Sequence, residues 1–335
     1  MIVTEHVPFS SLTTFRIGNT ARFVIDIENK NEVSDAFRIA KNTGHPAHIL
    51  GGGSNTLGTD NPFQAVILRS INARWHAYDQ NNYVLVRVGA GMSWDAFVAL
   101  AVSHEWFGIE NLSSIPGTLG GAIAQNIGAY GAVLSDSITE VCAYDYTNDE
   151  FITLTKEQCA FGYRTSIFKK TRKYFIVDAT FQFKKNQPFV LSYGDLAERF
   201  KNVPPTLQSV RTEIQTIRSK KFPPLDAFGT AGSFFLNPVV EKDQAAVVQE
   251  KYPDMPLFVL PEGGVKIPVA WILDHVLHVQ GMRIGGAFVW PQQTLVIAAD
   301  TNATVRNVLD LSKKISILFF NEVKIKIFPE VMMLD

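Results

Sequence analysis

The chain has 335 residues, 46% of them hydrophobic and 19% charged, with a formal net charge of -1. That length allows two or three domains, and the composition excludes a disordered chain. A near-neutral total without a long Lys/Arg run argues against a surface built for nucleic-acid phosphates.

The opening residues carry no basic region followed by an apolar one, so no secretory leader is read there. No apolar stretch approaches the ~20 residues of a membrane helix; residues 315–320 form a short run that ends in polar residues. A cytoplasmic protein with no membrane insertion is expected. The two cysteines, Cys142 and Cys159, form no CxxC pair and are expected to be packed thiols.

In chain order, residues 23–27 read as a strand. Residues 31–43 read as a helix with Val33, Ala36, Phe37, Ile39 and Ala40 on one face, stopped by Gly44. A short strand over 47–50 runs into Gly51-Gly52-Gly53-Ser54-Asn55. Residues 83–89 form a strand, and Ser93 caps a helix that ends before Gly108. A glycine-punctuated segment follows over 113–131. Strands are expected over 140–146, 151–154 and 174–183. In the last of these, Phe175, Val177, Ala179, Phe181 and Phe183 alternate with polar or mixed positions. The basic run Lys169-Lys170-Thr171-Arg172-Lys173 reads as a solvated turn between strands. Helices are expected over 206–219, 243–251, 269–277 and 304–321, with a strand at 296–298. The alternating tail 324–328 predicts a last strand ending at Pro329-Glu330. These elements divide the chain into 1–70, 71–220, 221–323 and 324–335.

The first glycine segment follows a strand directly. Glycines let backbone approach a ligand closely, and successive amides can converge on an anion such as a pyrophosphate. The segment is neither GxGxxG nor a P-loop. On glycine content alone it reads equally as a tight turn. The second segment, Ser113-Ser114-Ile115-Pro116-Gly117-Thr118-Leu119-Gly120-Gly121-Ala122-Ile123-Ala124-Gln125-Asn126-Ile127-Gly128-Ala129-Tyr130-Gly131, offers an uncharged polar lining that suits an isoalloxazine and its diphosphate. Long loops in compact domains are usually functional.

Together the two segments resemble the paired flavin-binding signature of the MurB family of UDP-N-acetylenolpyruvoylglucosamine reductases, and more loosely the wider FAD-linked oxidases. The resemblance implies an α+β protein with an FAD-linked-oxidase-type (PCMH-like) two-domain flavin-binding fold and a C-terminal α+β substrate domain. It implies FAD between the first two domains, contacted by Gly51, Gly52, Gly53, Ser54, Asn55, Ser114, Pro116, Gly117, Thr118, Gly121, Ile127 and Gly128.

Three further segments resemble the family's catalytic set. These are Tyr163-Arg164, Gly232-Ser233-Phe234-Phe235 and Pro329-Glu330. Any one alone reads as a surface arginine, a turn serine or a solvated glutamate. As a set they imply NADPH-dependent reduction of UDP-N-acetylglucosamine enolpyruvate to UDP-N-acetylmuramate through FAD. In that reaction Arg164 would stabilise the charge developing on the substrate. Glu330 would polarise its carboxylate, and Ser233 would donate the closing proton. Tyr163, Tyr193, Lys221, Asn237 and Lys266 match positions expected near substrate or nicotinamide. Residues 191–195 resemble the tyrosine-bearing loop of the longer subclass.

Departures from the family pattern occur at Trp290-Pro291 and at Arg16. The alternatives are an FAD-linked oxidase that uses oxygen and a flavin-binding paralogue without turnover. The oxidase is disfavoured because neither glycine segment holds a His or Cys to tether flavin. The spacings His45/His48 and His275/His278 lack a third ligand cluster, so no metal is expected. A monomer is expected.

Overall fold

The computed structural model describes residues 1–193, 195–260 and 263–334, and at Asp195 the backbone only. The chain folds into two units that interleave in sequence. One comprises 1–7, 21–52 and 64–218, and the other comprises 8–20, 53–63 and 219–335.

Besides a small two-stranded hairpin, the first unit is built around two main sheets. The smaller has the strand order Ile2–Pro8, Thr20–Ile27, Phe63–Ser70, Ala47–Ile49, and its last two strands run parallel. The helix Val33–Asn42 supplies Val33, Ala36 and Ala40 to the core beside Ile25, Ile27, Val66 and Leu68. The larger sheet is an antiparallel array of Glu150–Thr155, Ile138–Asp145, Tyr174–Lys184, Tyr83–Gly89 and Trp75–Asp79.

The central strand of that larger sheet, Tyr174–Lys184, buries side chains on both of its faces. The expectation that residues 175–183 keep one apolar face is corrected by a register shift. Cys142 pairs with Asp178 and the next residue, Ala143, pairs with Ile176, which leaves Val177 as a bulge. A bulge of one residue exchanges the faces of every side chain beyond it. Phe175 and Val177 therefore pack towards the helix Val33–Asn42, whereas Ala179, Phe181 and Phe183 join the core with Trp94, Phe97 and Leu119. One strand thus serves two cores.

Ser93 caps the helix Trp94–Ser103, accepting from the Ala96 amide, as expected. The basic run is not a solvated turn. Ser166 caps a short helix, Ile167–Thr171, and Arg172 ends it in the left-handed region.

The second unit is built on an antiparallel sheet of Gly229–Ser233, Val296–Ala299, Ala287–Val289 and Arg283–Ile284. The long helix Val305–Val323 contributes Val308, Leu311, Ile315 and Phe319 to its core. Thr304 and Asn307 form a capping box at the start of this helix. The Asp60 carboxylate accepts from the Val305 and Arg306 amides at 3.0 and 2.9 Å. A carboxylate there satisfies orphan amides and complements the helix dipole.

The expected strand over 324–328 is not formed. Lys324 ends the helix in the left-handed region, and Ile325 and Ile327 then alternate between buried and exposed neighbours without a ladder. The terminal strand is Met332–Met333, which pairs in parallel with Thr56–Leu57. No helix among the described residues is long and apolar enough to cross a membrane.

Candidate active site

In the first unit the two glycine segments meet backbone to backbone. A Cβ built on Gly52 would lie 2.7 Å from the Gly117 Cα, and one on Gly51 would lie 3.0 Å from the Thr118 hydroxyl and 3.2 Å from the Gly121 Cα. Only glycine allows that approach. Among the described residues, the amides of Gly51, Gly52 and Gly117 donate to no protein acceptor. Orphan amides converging from two segments fit an anionic diphosphate. The residues present therefore suit FAD.

Ser114 sits in the left-handed region, at φ 60°. Its amide donates to Asp95 at 2.5 Å, and its carbonyl accepts from Arg218 Nε at 3.1 Å. Arg211 grips the same Asp95 carboxylate with two bonds of 2.6 and 2.9 Å. Burial opposes the charge on Asp95, but Arg211 and the Ser114 amide hold its carboxyl below the ordinary value. Burial likewise pushes the Arg218 guanidinium below its ordinary value, against Tyr130 and Asp95, which favour its charge. Sequence reading missed this network. Nothing local flags Asp95, whose partner lies 116 residues away.

Ile127 packs against the larger core, and Gly128 opens a small hairpin with Ala132–Val133. Arg164 reaches this hairpin, where its Nη2 donates to the Gly128 carbonyl at 2.7 Å. Arg164 is also left-handed, at φ 55°, in the tight turn closed by mutual amide–carbonyl bonds between Gly162 and Thr165. Its guanidinium lies over the exposed ring of Tyr163, 5.8 Å from the centroid.

Tyr193 is 53% exposed and meets Tyr130 edge to face at 5.6 Å. Gly194, in the same segment, lies outside the described residues. Asn111, another residue the sequence did not flag, donates to the carbonyls of Tyr130 and Val190, both at 2.7 Å. It ties the end of the second glycine segment to the start of the tyrosine-bearing loop.

The second unit holds the remaining expected residues. In the strand Gly229–Ser233, Thr230 pairs with Ala298 but Ser233 pairs with Val296, so two residues oppose Ile297. Gly232 takes φ 75° in this bulge. A bulge re-aims the next side chain, here that of Ser233. The Glu330 amide donates to the carbonyl of Phe234, the residue after Ser233, at 2.8 Å. The Glu330 carbonyl accepts from Asn55 Nδ2 at 3.1 Å, and the Asn55 carbonyl accepts from the Met332 amide at 2.9 Å. Ser233, Glu330 and Asn55 are thereby brought together.

Gly53, with Ser54 beside it, passes over the Leu12–Thr13 backbone; a Cβ on Gly53 would meet Leu12 O at 2.0 Å. Asn237 accepts from the Val269 amide at 2.9 Å. Lys266 pairs with Val239 two residues further on, and its ammonium lies 5.2 Å from the Phe258 centroid. Lys221, half-buried, ends the helix Leu207–Lys221. The described contacts place Asn237 and Lys266 near each other and join neither to Ser233.

Both departures are structural in part. Arg16 Nη1 donates to the carbonyls of Leu225 and Asp226, and Trp290 clusters with Phe228 and Phe288. Among the described residues, no group of three or more His, Cys, Asp or Glu is placed to hold a metal.

A glycine-lined cradle in one unit and a bulge-aimed serine beside a glutamate in the other define a class: an FAD-binding oxidoreductase with a separate substrate unit. The FAD binding domain family matches residues 21–153, and the family described as UDP-N-acetylenolpyruvoylglucosamine reductase, C-terminal domain, matches 223–334. The reductase of that name from Neisseria meningitidis serogroup A is 34% identical, covering 98% of this chain and 95% of its own length. That from Porphyromonas gingivalis W83 is 34% identical over 99% of both chains. The crystal structure of the Thermus caldophilus enzyme (MurB) superposes over 100% of both chains with a TM-score of 0.71 at 21% identity, which shows a shared fold. The chain belongs to the UDP-N-acetylenolpyruvoylglucosamine reductase family.

Proposed function

We propose that this protein reduces UDP-N-acetylglucosamine enolpyruvate to UDP-N-acetylmuramate in peptidoglycan precursor synthesis, with NADPH as reductant, and that it works in the cytoplasm as a monomer. One observation carries the reading. The bulge at Gly232 sets Ser233 next to Phe234, whose carbonyl accepts from the Glu330 amide, in the unit that matches the reductase C-terminal domain.

When bound, FAD would supply the hydride-transfer chemistry that links NADPH to the enol ether. The residues proposed to hold it are Gly51, Gly52, Gly53, Ser54, Asn55, Ser114, Pro116, Gly117, Thr118, Gly121, Ile127 and Gly128. Arg164 is permanently cationic and planar, which suits the negative charge that spreads into the substrate carboxylate. Its left-handed backbone is a strained conformation of the kind that clusters at functional sites. Glu330 polarises the same carboxylate and must carry or share a proton to do so. Ser233 Oγ gives a proton to the carbon that bore the charge, a role that requires exclusion of water. Lys221, Asn237 and Lys266 are proposed for the diphosphate or the nicotinamide, Tyr163 for the substrate, and Tyr193 for closing over the sugar nucleotide.

The test is an anaerobic stopped-flow flavin spectrum. NADPH should bleach the bound flavin, and UDP-N-acetylglucosamine enolpyruvate should restore the oxidised spectrum. Bleaching that is reversed by air and not by the sugar nucleotide would instead identify an oxidase.

A further inference from the structure

The basic run at 169–173 has no part in the reaction outlined above, yet one of its members is turned inward. Lys169 Nζ donates to Gln125 Oε1 at 2.7 Å and to the Arg164 carbonyl at 3.1 Å. Its backbone is held in turn, because the Lys169 amide donates to Ser166 Oγ at 3.4 Å, while that hydroxyl donates to the Ala124 carbonyl at 2.8 Å. Ser166 is fully buried. Asn126 Nδ2 donates to the Gly162 carbonyl at 3.0 Å, across the base of the same turn.

Arg164 occupies the third position of the turn 162–165, where positive φ is usual for Gly or Asn. A long side chain held there is strained and persists only where its surroundings over-determine it. The bonds from Lys169, Ser166 and Asn126 do so. Each runs between the turn segment 162–169 and the helix end 124–126, which leads directly into Gly128, the acceptor of the Arg164 guanidinium.

We infer that Lys169 is a positioning residue: it bridges the Arg164 carbonyl to Gln125 and so fixes the arginine in its left-handed conformation relative to the second glycine segment. The inference rests on the proposed reaction for the importance of Arg164, and on the geometry alone for the latch. Lys169 touches neither substrate nor reacting atoms in this assignment. Methionine at 169 keeps the length and removes the donor. Arginine keeps a donor that can reach a carbonyl.

Two measurements test it on the FAD-loaded protein. In anaerobic stopped flow, Lys169→Met should slow reoxidation by UDP-N-acetylglucosamine enolpyruvate roughly 30-fold, the scale of a small misplacement of a charged group. Bleaching by NADPH should change less than about twofold, and Lys169→Arg should recover most of the loss. In an Arg164→Met background, Lys169→Met should add nothing further, because its effect passes through the arginine. Equal slowing of both half-reactions, additive losses in the double variant, or unchanged reoxidation would overturn the positioning role.

Amide hydrogen exchange supplies the second readout, independent of turnover. The Thr165 amide, bonded to the Gly162 carbonyl, should exchange faster in Lys169→Met while the strand Tyr83–Gly89 keeps its protection. Unchanged exchange at Thr165 would overturn the latch. If the unaltered protein were not reoxidised by the sugar nucleotide, the proposed reaction would fall while the exchange result still decided the latch.

Discussion

Gly52 is glycine because of what faces it. With its missing Cβ 2.7 Å from the Gly117 Cα, any side chain forces the two glycine segments apart. Gly52→Ala should destabilise the protein by about 1–3 kcal/mol and release flavin on gel filtration; a variant that keeps full flavin content would show that the cradle does not bind FAD. Ser233→Ala should leave bleaching by NADPH intact and slow reoxidation by the enolpyruvyl substrate about 10²–10⁴-fold. Normal reoxidation would remove Ser233 from its proposed role. Cys159 lies five residues before Arg164 but is fully buried, and burial pushes its thiol up to about 12. A thiolate is the reactive species, so Cys159 should resist a thiol-specific reagent at pH 8 until the protein unfolds; labelling of the native state at this residue would contradict that burial.

At the scale of elements, the helices Trp94–Ser103 and Leu207–Lys221 are joined through Asp95 and Arg211, and through Asp95 to the Ser114 amide. Asp95→Asn leaves a buried guanidinium without its counter-charge and should cost about 2–3 kcal/mol, below the full figure for a buried pair because Asp95 is partly exposed. The Asp95 carboxyl is held below its ordinary value, so its contribution is complete above the ordinary carboxylate range. It is lost as pH falls through the lowered value. The gap between the thermal melts of the two proteins should therefore begin to narrow only below about pH 4 and close beneath the lowered value, and a constant gap down to the lowest pH would argue against this source of stability.

Elements with one clear period were legible in the sequence. The strand Tyr83–Gly89 and the Ser93 cap stand as read, and the helix predicted over 304–321 extends to Val323. The reading failed where a non-local partner decides. The alternation at 324–328 is real in burial, but among the described residues only an isolated bridge between Phe235 and Pro329 follows it, and the terminal strand is Met332–Met333. Nothing local marks Val177 as a bulge, since its register is set by Cys142 and Ala143 on another strand. For the proposed site, the glycines and the Arg–Ser–Glu set could be picked out in the sequence because the chemistry proposed for them restricts the residue type. The supporting Asp95, Arg211, Arg218, Asn111 and Lys169 were not, because each is defined by a contact rather than a motif.

Over the whole molecule, the second unit is assembled from three separated stretches of chain. Its core includes Phe15, Ile17 and Leu57 together with Phe234, Phe319 and Val331. A fragment of residues 219–335 lacks those first three side chains and the strand partner Thr56–Leu57. It should remain poorly folded, with weak dispersion of its amide resonances, although it contains the whole matched C-terminal domain at 223–334. Addition of residues 1–218 in trans should restore structure; a cooperative melt by the fragment alone would show that the early segments are dispensable.

Synthesis on the ribosome gives the Asn55–Glu330 bond a further meaning. Its partners are 275 residues apart. At about 5–20 residues per second, Asn55 leaves the peptidyl-transferase centre roughly 15–55 s before Glu330 is added. The two glycine segments proposed to hold FAD are translated early in that interval, whereas the glutamate arrives among the last residues. The nascent chain can thus acquire the proposed flavin cradle well before it can acquire Glu330, and under the proposed roles the order of translation would separate cofactor capture from the onset of turnover.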